Sequence, residues 1–289
     1  MKRWLFLIAL LMPIGVYSQI NIQMGAQKPV KNEVIDTGVI RVFYELLSVA
    51  DPEKPDKTTK DYLVLEIGEK GISRFYSDNK RRQDSIMAEL IKINPTRIDM
   101  GKALKDNGIS SGGDQREVFK NYPSGKIMVT DHIVSSDYLY EENLNDIQWQ
   151  IGTDTVTILS YLCQKATADF RGRHYEAWFA PDLPINDGPW KFMGLPGLIL
   201  SIQDVDKHYQ FQAIGLENST LPVNFPKKDY LKTSRKEVEK IQKRFIEDPM
   251  GFITASMPGT NIQIKMMDET GSEKTGSEIK FPYNPIELE

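Results

Sequence analysis

Residues 155–180 read TVTILSYLCQKATADFRGRHYEAWFA and carry the clearest secondary-structure signal in the chain. The run is rich in β-branched and aromatic residues, which favour strands. It is interrupted at Phe170-Arg171-Gly172-Arg173, which has the residue types of a tight turn. We therefore expect a β-hairpin with Thr155–Asp169 and His174–Ala180 as its strands.

The same pattern recurs on both sides of this hairpin. A second hairpin is predicted downstream, where Gly197–Gln203 and His208–Ile214 flank the polar turn Asp204–Lys207. Further apolar runs bounded by Pro, Gly and polar residues predict strands at Val34–Ala50, Tyr62–Ile67, Ile72–Tyr76, Lys126–Thr130, Ile147–Ile151 and Ile262–Met266.

Helical periodicity appears in only two segments. Arg81–Lys92 places its apolar residues on one face, and Ser234–Asp248 begins with a serine three positions before Glu237, the spacing of a capping box. Residues 99–117 contain four glycines and no sustained apolar period. They predict a loop that could gate a site.

Many short strands joined by hairpins, with few helices, indicate an antiparallel sheet. We expect an α+β fold in which a curved sheet, open like a half-barrel, carries two or three helices on one face. No linker divides the chain, so residues 19–289 are expected to form a single domain.

Composition excludes several classes of protein. The 289 residues carry 36 Lys and Arg against 40 Asp and Glu, with no basic block, which argues against a nucleic-acid partner. Cys163 is the one cysteine in the chain, so an intrachain disulfide framework is excluded. A buried structural thiol is the expected role of this residue.

The N-terminus predicts export. Lys2 and Arg3 precede an apolar run that is too short to span a membrane, and small residues follow it. This is typical of a signal peptide over residues 1–18, cleaved between Ser18 and Gln19. The mature chain is then expected in the periplasm or outside the cell, with no transmembrane segment.

Residues 178–201, WFAPDLPINDGPWKFMGLPGLILS, are unusually rich in Pro, Gly and aromatic residues. Proline prevents a long helix here, and glycine permits turns and close backbone approach. One interpretation is a rigid crossover whose aromatic residues plug one end of the core. The other is the mouth of a ligand pocket. The candidate binding residues are Trp178, Phe179, Trp190, Phe192, Leu195, Pro196 and Ile199.

Catalytic motifs are almost absent from the sequence, and no catalytic residue, metal ligand or cofactor is predicted. His174 and His208 both lie near predicted hairpins. Folding could bring either of them close to Asp182, Asp187 or Asp204, as acid–base chemistry would require. Solvated strand ends explain the same residues without any function.

Gly194-Leu195-Pro196-Gly197-Leu198-Ile199 spells the motif of the GLPGLI family of exported bacterial proteins, which the chain resembles. The likeness extends to the segments 163–166, 173–179, 183–185 and 188–192, and to Asn284–Leu288 near the C-terminus. The resemblance implies export into a Gram-negative cell envelope, and it supplies no established activity. A weaker likeness of shape is to LolA-like lipoprotein carriers, and it rests on fold alone.

These observations favour a non-enzymatic envelope protein that binds a hydrophobic ligand, such as a lipid, or an envelope partner. One alternative is a periplasmic hydrolase that uses His174 or His208 with a nearby aspartate. Another is an accessory subunit of an outer-membrane complex, which would present an apolar surface to an outer-membrane protein.

Overall fold

The computed structural model describes residues 30–93, 95–109, 112–144, 147–256, 265–267, 273–275 and 281–289. The predicted signal peptide lies outside these residues, as does the part of the predicted last strand before Lys265. Among the described residues, no helix has the length and apolar character needed to cross a membrane.

The described residues form fifteen strands. They are β1 (Lys31–Val49), β2 (Thr58–Gly68), β3 (Ser73–Ser77), β4 (Glu117–Lys120), β5 (Lys126–Ile133), β6 (Ser136–Asn143), β7 (Gln150–Ile158), β8 (Tyr161–Phe170), β9 (Arg173–Ala180), β10 (Leu198–Asp204), β11 (Tyr209–Asn218), β12 (Pro222–Lys227), β13 (Leu231–Thr233), β14 (Lys265–Met267) and β15 (Glu273–Thr275). The helices among them are α1 (Asp78–Leu90), a 3₁₀ turn (Ile91–Ile93), α2 (Arg97–Asp106), α3 (Arg235–Glu247) and α4 (Pro249–Ser256).

Thirteen strands form one open sheet in the order β13-β6-β5-β4-β3-β2-β1-β11-β10-β9-β8-β7, with β12 paired to β1 outside this path. Within this sheet every pair is antiparallel except β13 with β6. The predicted α+β class and the mostly antiparallel, unclosed sheet are therefore confirmed. The helices number four among the described residues, where two or three were expected.

The long strand β1 lies at the centre of the sheet. Along one side it pairs with β2, and along the other it pairs first with β12 and then with β11. Its alternating buried side chains, including Val42 and Tyr44, contribute to the main core. Val238 of α3 and Ile253 of α4 pack onto the same core. A smaller apolar cluster lies on the opposite face of β4–β6, where Phe119 packs against Phe225 of β12.

The predicted β8–β9 hairpin is confirmed, but the strand predicted over Thr155–Asp169 includes the end of β7 as well as most of β8. Arg171 and Gly172 have positive φ angles of 49° and 77°, as a two-residue hairpin turn requires. Leu159 and Ser160 also have positive φ, 49° and 70°, and they turn the chain between β7 and β8. Because no glycine or asparagine marks this second turn, the sequence pattern predicted one strand where there are two.

The predicted loop over residues 99–117 is partly wrong. Residues 99–106 belong to helix α2, which begins with a capping box between Thr96 and Asp99. No described side chain of α2 is buried, and so the helix leaves no apolar period in the sequence. The predicted helix at Ser234–Asp248 is confirmed as α3, with Ser234 accepting a hydrogen bond from the Glu237 amide.

Candidate functional site

The seven candidate binding residues do not line an open pocket together. Five of them are at most 3% exposed and belong to the main core: Phe179, Trp190, Phe192, Leu195 and Ile199. Phe192 contacts Tyr175 edge-to-face, with ring centroids 4.7 Å apart. Trp178 is half-buried and Pro196 is exposed. This arrangement matches the crossover interpretation, in which the aromatic residues plug one end of the core.

Hydrogen bonds hold the crossover segment 181–197 against the sheet. Lys120 Nζ on β4 donates to the carbonyl of Gly188 at 2.6 Å, and the amide of Ile199 on β10 donates to the carbonyl of Asp187 at 3.0 Å. Lys120 also pairs with Asp187 in the interior. Burial lowers the pKa of Lys120, although the carboxylate of Asp187 opposes this shift. These contacts bind the middle of the segment to the sheet.

Buried charges converge beside this segment. Lys191 is fully buried, and its Nζ lies 2.5 Å from Glu142 Oε2 and 2.8 Å from Glu287 Oε1. Arg235 Nε lies 3.1 Å from Glu142 Oε1, and Trp190 Nε1 donates to Glu287 Oε1 at 2.9 Å. We call Glu142, Lys191, Arg235 and Glu287 the ionic cluster.

The ionic cluster favours the charged form of Glu287. Burial by itself would raise the pKa of Glu287, but Lys191, Trp190 and Arg235 favour the charged form and leave the pKa below its usual range. Glu287 therefore stays ionised inside the protein. Sequence reasoning missed this cluster because its members come from β6, the crossover segment, α3 and the C-terminus.

The C-terminal tail, residues 283–289, lies on the face of the sheet that carries the main core, where Ile286 is buried. Three consecutive carbonyls of the tail accept hydrogen bonds from side chains of the sheet. Tyr209 donates to Asn284 O at 2.5 Å, Arg173 to Pro285 O at 2.7 Å, and Tyr175 to Ile286 O at 3.1 Å.

A small cavity lies next to the tail. Its apolar lining comes from Leu46, Leu63, Phe75, Phe211 and Ile286, with Tyr76, Asp114, Arg116, Trp190 and Tyr209 completing the walls. The volume is about 10 Å³, close to what one water molecule needs. As it stands, this cavity has no room for a lipid.

Asp114 and Arg116 form a polar pair in the wall of this cavity. Arg116 binds Asp114 through two nitrogens, at 2.9 and 2.6 Å, and its guanidinium stacks 4.4 Å from the ring of Trp190. Burial raises the pKa of nearby Asp131 to about 6, although Arg116 and a hydrogen bond from Gln242 oppose this shift. The one hint in the sequence is a carboxylate at a core-facing position of β5.

His208 is held in a structural contact. Arg173 Nη1 lies 2.9 Å from Asp204 Oδ2 and 3.1 Å from His208 Nδ1. Since a guanidinium only donates hydrogen bonds, Nδ1 is the acceptor in this contact. Asp204, Asp206 and His208 place ligand atoms within 4.8 Å of one another, but the cationic Arg173 already binds Asp204, which disfavours a metal ion there.

The other predicted acid–base partners do not converge. His174 Nδ1 lies 2.8 Å from Asp169 Oδ1, and both side chains are exposed on the β8–β9 hairpin. Asp187 pairs with Lys120, and Asp182 is exposed.

The sulfur of Cys163 is buried, and burial raises the pKa of this thiol. A structural role for Cys163 fits this position.

Strand β7 forms one edge of the sheet and is exposed along its length up to Ile158. The β7–β8 hairpin also presents aliphatic side chains to solvent, at 37–58% exposure: Ile151, Val156, Leu159 and Leu162. A bulge at residues 152–154 interrupts the pairing with β8. Among the described residues, no strand pairs with the outer backbone groups of β7, and a further chain segment could pair with them.

Comparison with known proteins gives a short family match. Residues 170–201 match the family described as a protein of unknown function, Porph_ging. This part of the chain holds β9, the crossover segment and the start of β10. No curated protein matches the chain.

Solved structures match more broadly but weakly. A structure of PNGF-II in space group P21 matches with a TM-score of 0.48 and 10% identity, and one in space group C2 with a TM-score of 0.49 and 11% identity. Each match covers 70% of this chain and 32% of the PNGF-II chain, so this chain spans about a third of that protein's length. These matches are to PNGF-II rather than to a LolA-like carrier, and at this similarity they carry no argument about function.

Proposed function

We propose that this chain is a non-enzymatic binding protein of the cell envelope, of the GLPGLI type, that captures an extended segment of a partner polypeptide along strand β7. The single observation that carries the proposal is a nine-residue edge strand with exposed aliphatic side chains. Unpaired backbone groups of such an edge give affinity to an added strand, and the side chains give selectivity.

The bound segment is expected to be apolar on alternate residues. Val156 offers it an aliphatic contact on β7, and Thr155 and Thr157 offer neutral polar ones. Leu162 extends the apolar surface one strand further in, on β8 opposite Thr157. Asp154 is the one charged residue of β7. The bulge at residues 152–154 restricts regular strand addition to the part of β7 that follows it.

This proposal takes the partner-binding half of the sequence hypothesis. A hydrophobic ligand is less well supported, because the aromatic residues expected to line its pocket fill the core and the adjoining cavity is small. A hydrolase has little support as well, because neither His174 nor His208 lines the described cavity. An accessory role in an outer-membrane complex would use the same edge.

Site-specific photo-crosslinking in a Gram-negative host tests the proposal. A crosslinker at Thr157 on β7 should give one discrete product of higher mass, and the same crosslinker at exposed Lys102 on α2 should give none. The double variant Val156→Lys, Leu162→Lys should abolish the product. Because both side chains are exposed, this variant should keep the melting temperature within about 2 °C.

Two outcomes would count against the proposal. One is equal crosslinking from positions 157 and 102, and the other is a product that survives the double lysine variant. Native mass spectrometry of protein purified without detergent adds an independent check. A discrete added mass of lipid size would favour the hydrophobic-ligand alternative instead.

A further inference from the structure

The C-terminal tail is bound in the manner of a peptide ligand. Residues 281–289 form neither helix nor strand, so the tail adds nothing to the sheet by regular pairing. It is held by side chains instead. Donors from the sheet and the crossover segment all point at tail acceptors: Arg173, Tyr175, Trp190, Lys191 and Tyr209.

Most residues of the tail make a specific contact of their own. Arg173 donates at 2.7 Å to the Asn284 side chain, whose own amide donates at 2.7 Å to the carbonyl of Val49. Ile286 is buried and lines the apolar cavity. Glu287 enters the ionic cluster, and Leu288 N donates to the carbonyl of Arg171 at 2.9 Å. Every position from 284 to 288 except Pro285 thus has a specific side-chain or amide contact.

Most of these donors are buried. Tyr175, Trp190 and Lys191 are at most 3% exposed, and the side chain of Arg173 is 4% exposed. Leaving such buried groups without hydrogen-bond partners destabilises the protein, and the effect is larger for charged groups. We call the surface that these donors form around the tail the groove. An empty groove would leave buried donors unpaired, so the protein is more stable when the groove is occupied. The donors fit a ligand that offers carbonyls, an apolar side chain and a carboxylate in this order.

We propose that this groove is a peptide-binding site, filled in cis by the C-terminal tail, that also accepts the tail of a second copy of the chain. Its ligand is an extended segment with the pattern Asn-Pro-apolar-Glu. A second copy is the partner because its tail carries the sequence that these contacts fit. Exchange of an identical element between copies requires no new interface chemistry.

Two complementary full-length variants separate groove from tail. The tail variant, Ile286→Asp with Glu287→Lys, keeps the groove but places wrong charges opposite Leu46 and Lys191. The groove variant, Arg173→Gln with Lys191→Met, keeps the tail but removes its main donors. Each variant alone should be monomeric. Mixed together they should form a one-to-one heterodimer that native mass spectrometry detects.

A fluorescent peptide with the sequence of residues 283–289 gives the second readout. It should bind the tail variant at least tenfold more tightly than it binds the wild type, whose own tail competes at high effective concentration. The affinity of this peptide for the tail variant is the reference. The peptide should bind the groove variant at least tenfold more weakly than that, and so should a peptide with the Ile286→Asp and Glu287→Lys changes when it is added to the tail variant. A tail variant with native near-ultraviolet circular dichroism that binds no peptide, or a mixture that stays monomeric, would overturn the proposal.

A cut version of the wild type covers the case in which the variants fail to fold. A protease site placed at residues 268–272 and cleaved after folding leaves the complete chain in two pieces. The C-terminal piece should remain bound and then exchange with an excess of the labelled peptide. A piece that is released only when the protein unfolds would refute the exchange.

Discussion

Lys191 and Glu287 form a salt bridge in the interior, with Nζ 2.8 Å from Oε1 and both side chains at most 6% exposed. The pair joins the crossover segment to the C-terminal tail. Glu142 lies on the other side of Lys191, so one buried cation serves two carboxylates. Because buried charges are tolerated only when they are paired, the crossover segment and the tail depend on each other.

Removing the cation should therefore be costly. We expect Lys191→Met to lower the free energy of unfolding by about 3–5 kcal/mol, since it leaves Glu142 and Glu287 short of a buried partner. The control is Lys92→Met, which breaks an exposed pair with Glu89 and should cost less than about 1 kcal/mol. Urea unfolding measures both values. Similar losses in the two variants would show that the ionic cluster is not energetically special.

Phe192 and Trp178 belong to the same candidate set but lie in different surroundings. Phe192→Ala should cost about 3–5 kcal/mol, because the ring is fully buried and contacts Tyr175 and Phe170. Trp178→Ala should cost about 1 kcal/mol, because its side chain is half-buried. Thermal unfolding of the two variants decides the matter. A small loss for Phe192→Ala would contradict its place in the core.

The second glycine of the GLPGLI motif has a steric role. A Cβ added at Gly197 would lie 2.3 Å from the carbonyl oxygen of Ala180, so Gly197→Ala should displace the backbone and cost about 2 kcal/mol or more. Gly101 in α2 has open space around it. Gly101→Ala should instead stabilise the protein by about 0.5–1 kcal/mol. The two changes should shift the urea midpoint in opposite directions, and a shared direction would refute this account.

Asp131 should make stability depend on pH near neutrality. Burial raises its folded-state pKa to about 6 from an ordinary value of 3.8, so the folded protein holds this proton more tightly than the unfolded chain. The contribution of Asp131 to stability is then full below about pH 4 and is lost as pH rises through 6. Relative to the wild type, the free energy of unfolding of Asp131→Asn should rise by on the order of 2 kcal/mol between pH 4.5 and 7.5.

Unfolding free energies of both proteins at these two pH values measure the gain. The asparagine oxygen can still accept the hydrogen bond that Gln242 donates, so the variant should keep the local structure. A difference between the proteins that does not change with pH would show that Asp131 is ionised in the fold throughout this range.

Local patterns in the sequence predicted most of the sheet. The β8–β9 turn was found because Arg171-Gly172 has the expected chemistry, and α3 because Ser234 and Glu237 mark its start. The turn at Leu159-Ser160 was missed because neither residue type ordinarily adopts positive φ. Helix α2 was missed because none of its described side chains is buried.

The candidate site was harder to predict. The composition of residues 178–201 draws attention to the aromatic residues near Trp190, but composition does not distinguish a core from a pocket. The ionic cluster joins Glu142, Lys191 and Glu287, which are far apart in the chain. No local spacing encodes such a meeting, and it emerges only when the sheet order is known.

The central position of β1 has a consequence for how the chain acquires its structure. Arg41 on β1 pairs with Glu217 on β11, 176 positions later. The two halves of the sheet meet along β1, and they cannot join until residues near 218 are free to fold. Contacts between such distant segments form slowly, because a long loop must close first. During synthesis from the N-terminus, the edge of β1 that pairs with β11 and β12 would stay unpaired until most of the chain has been made. A chaperone that shields this edge should therefore raise the yield of native protein.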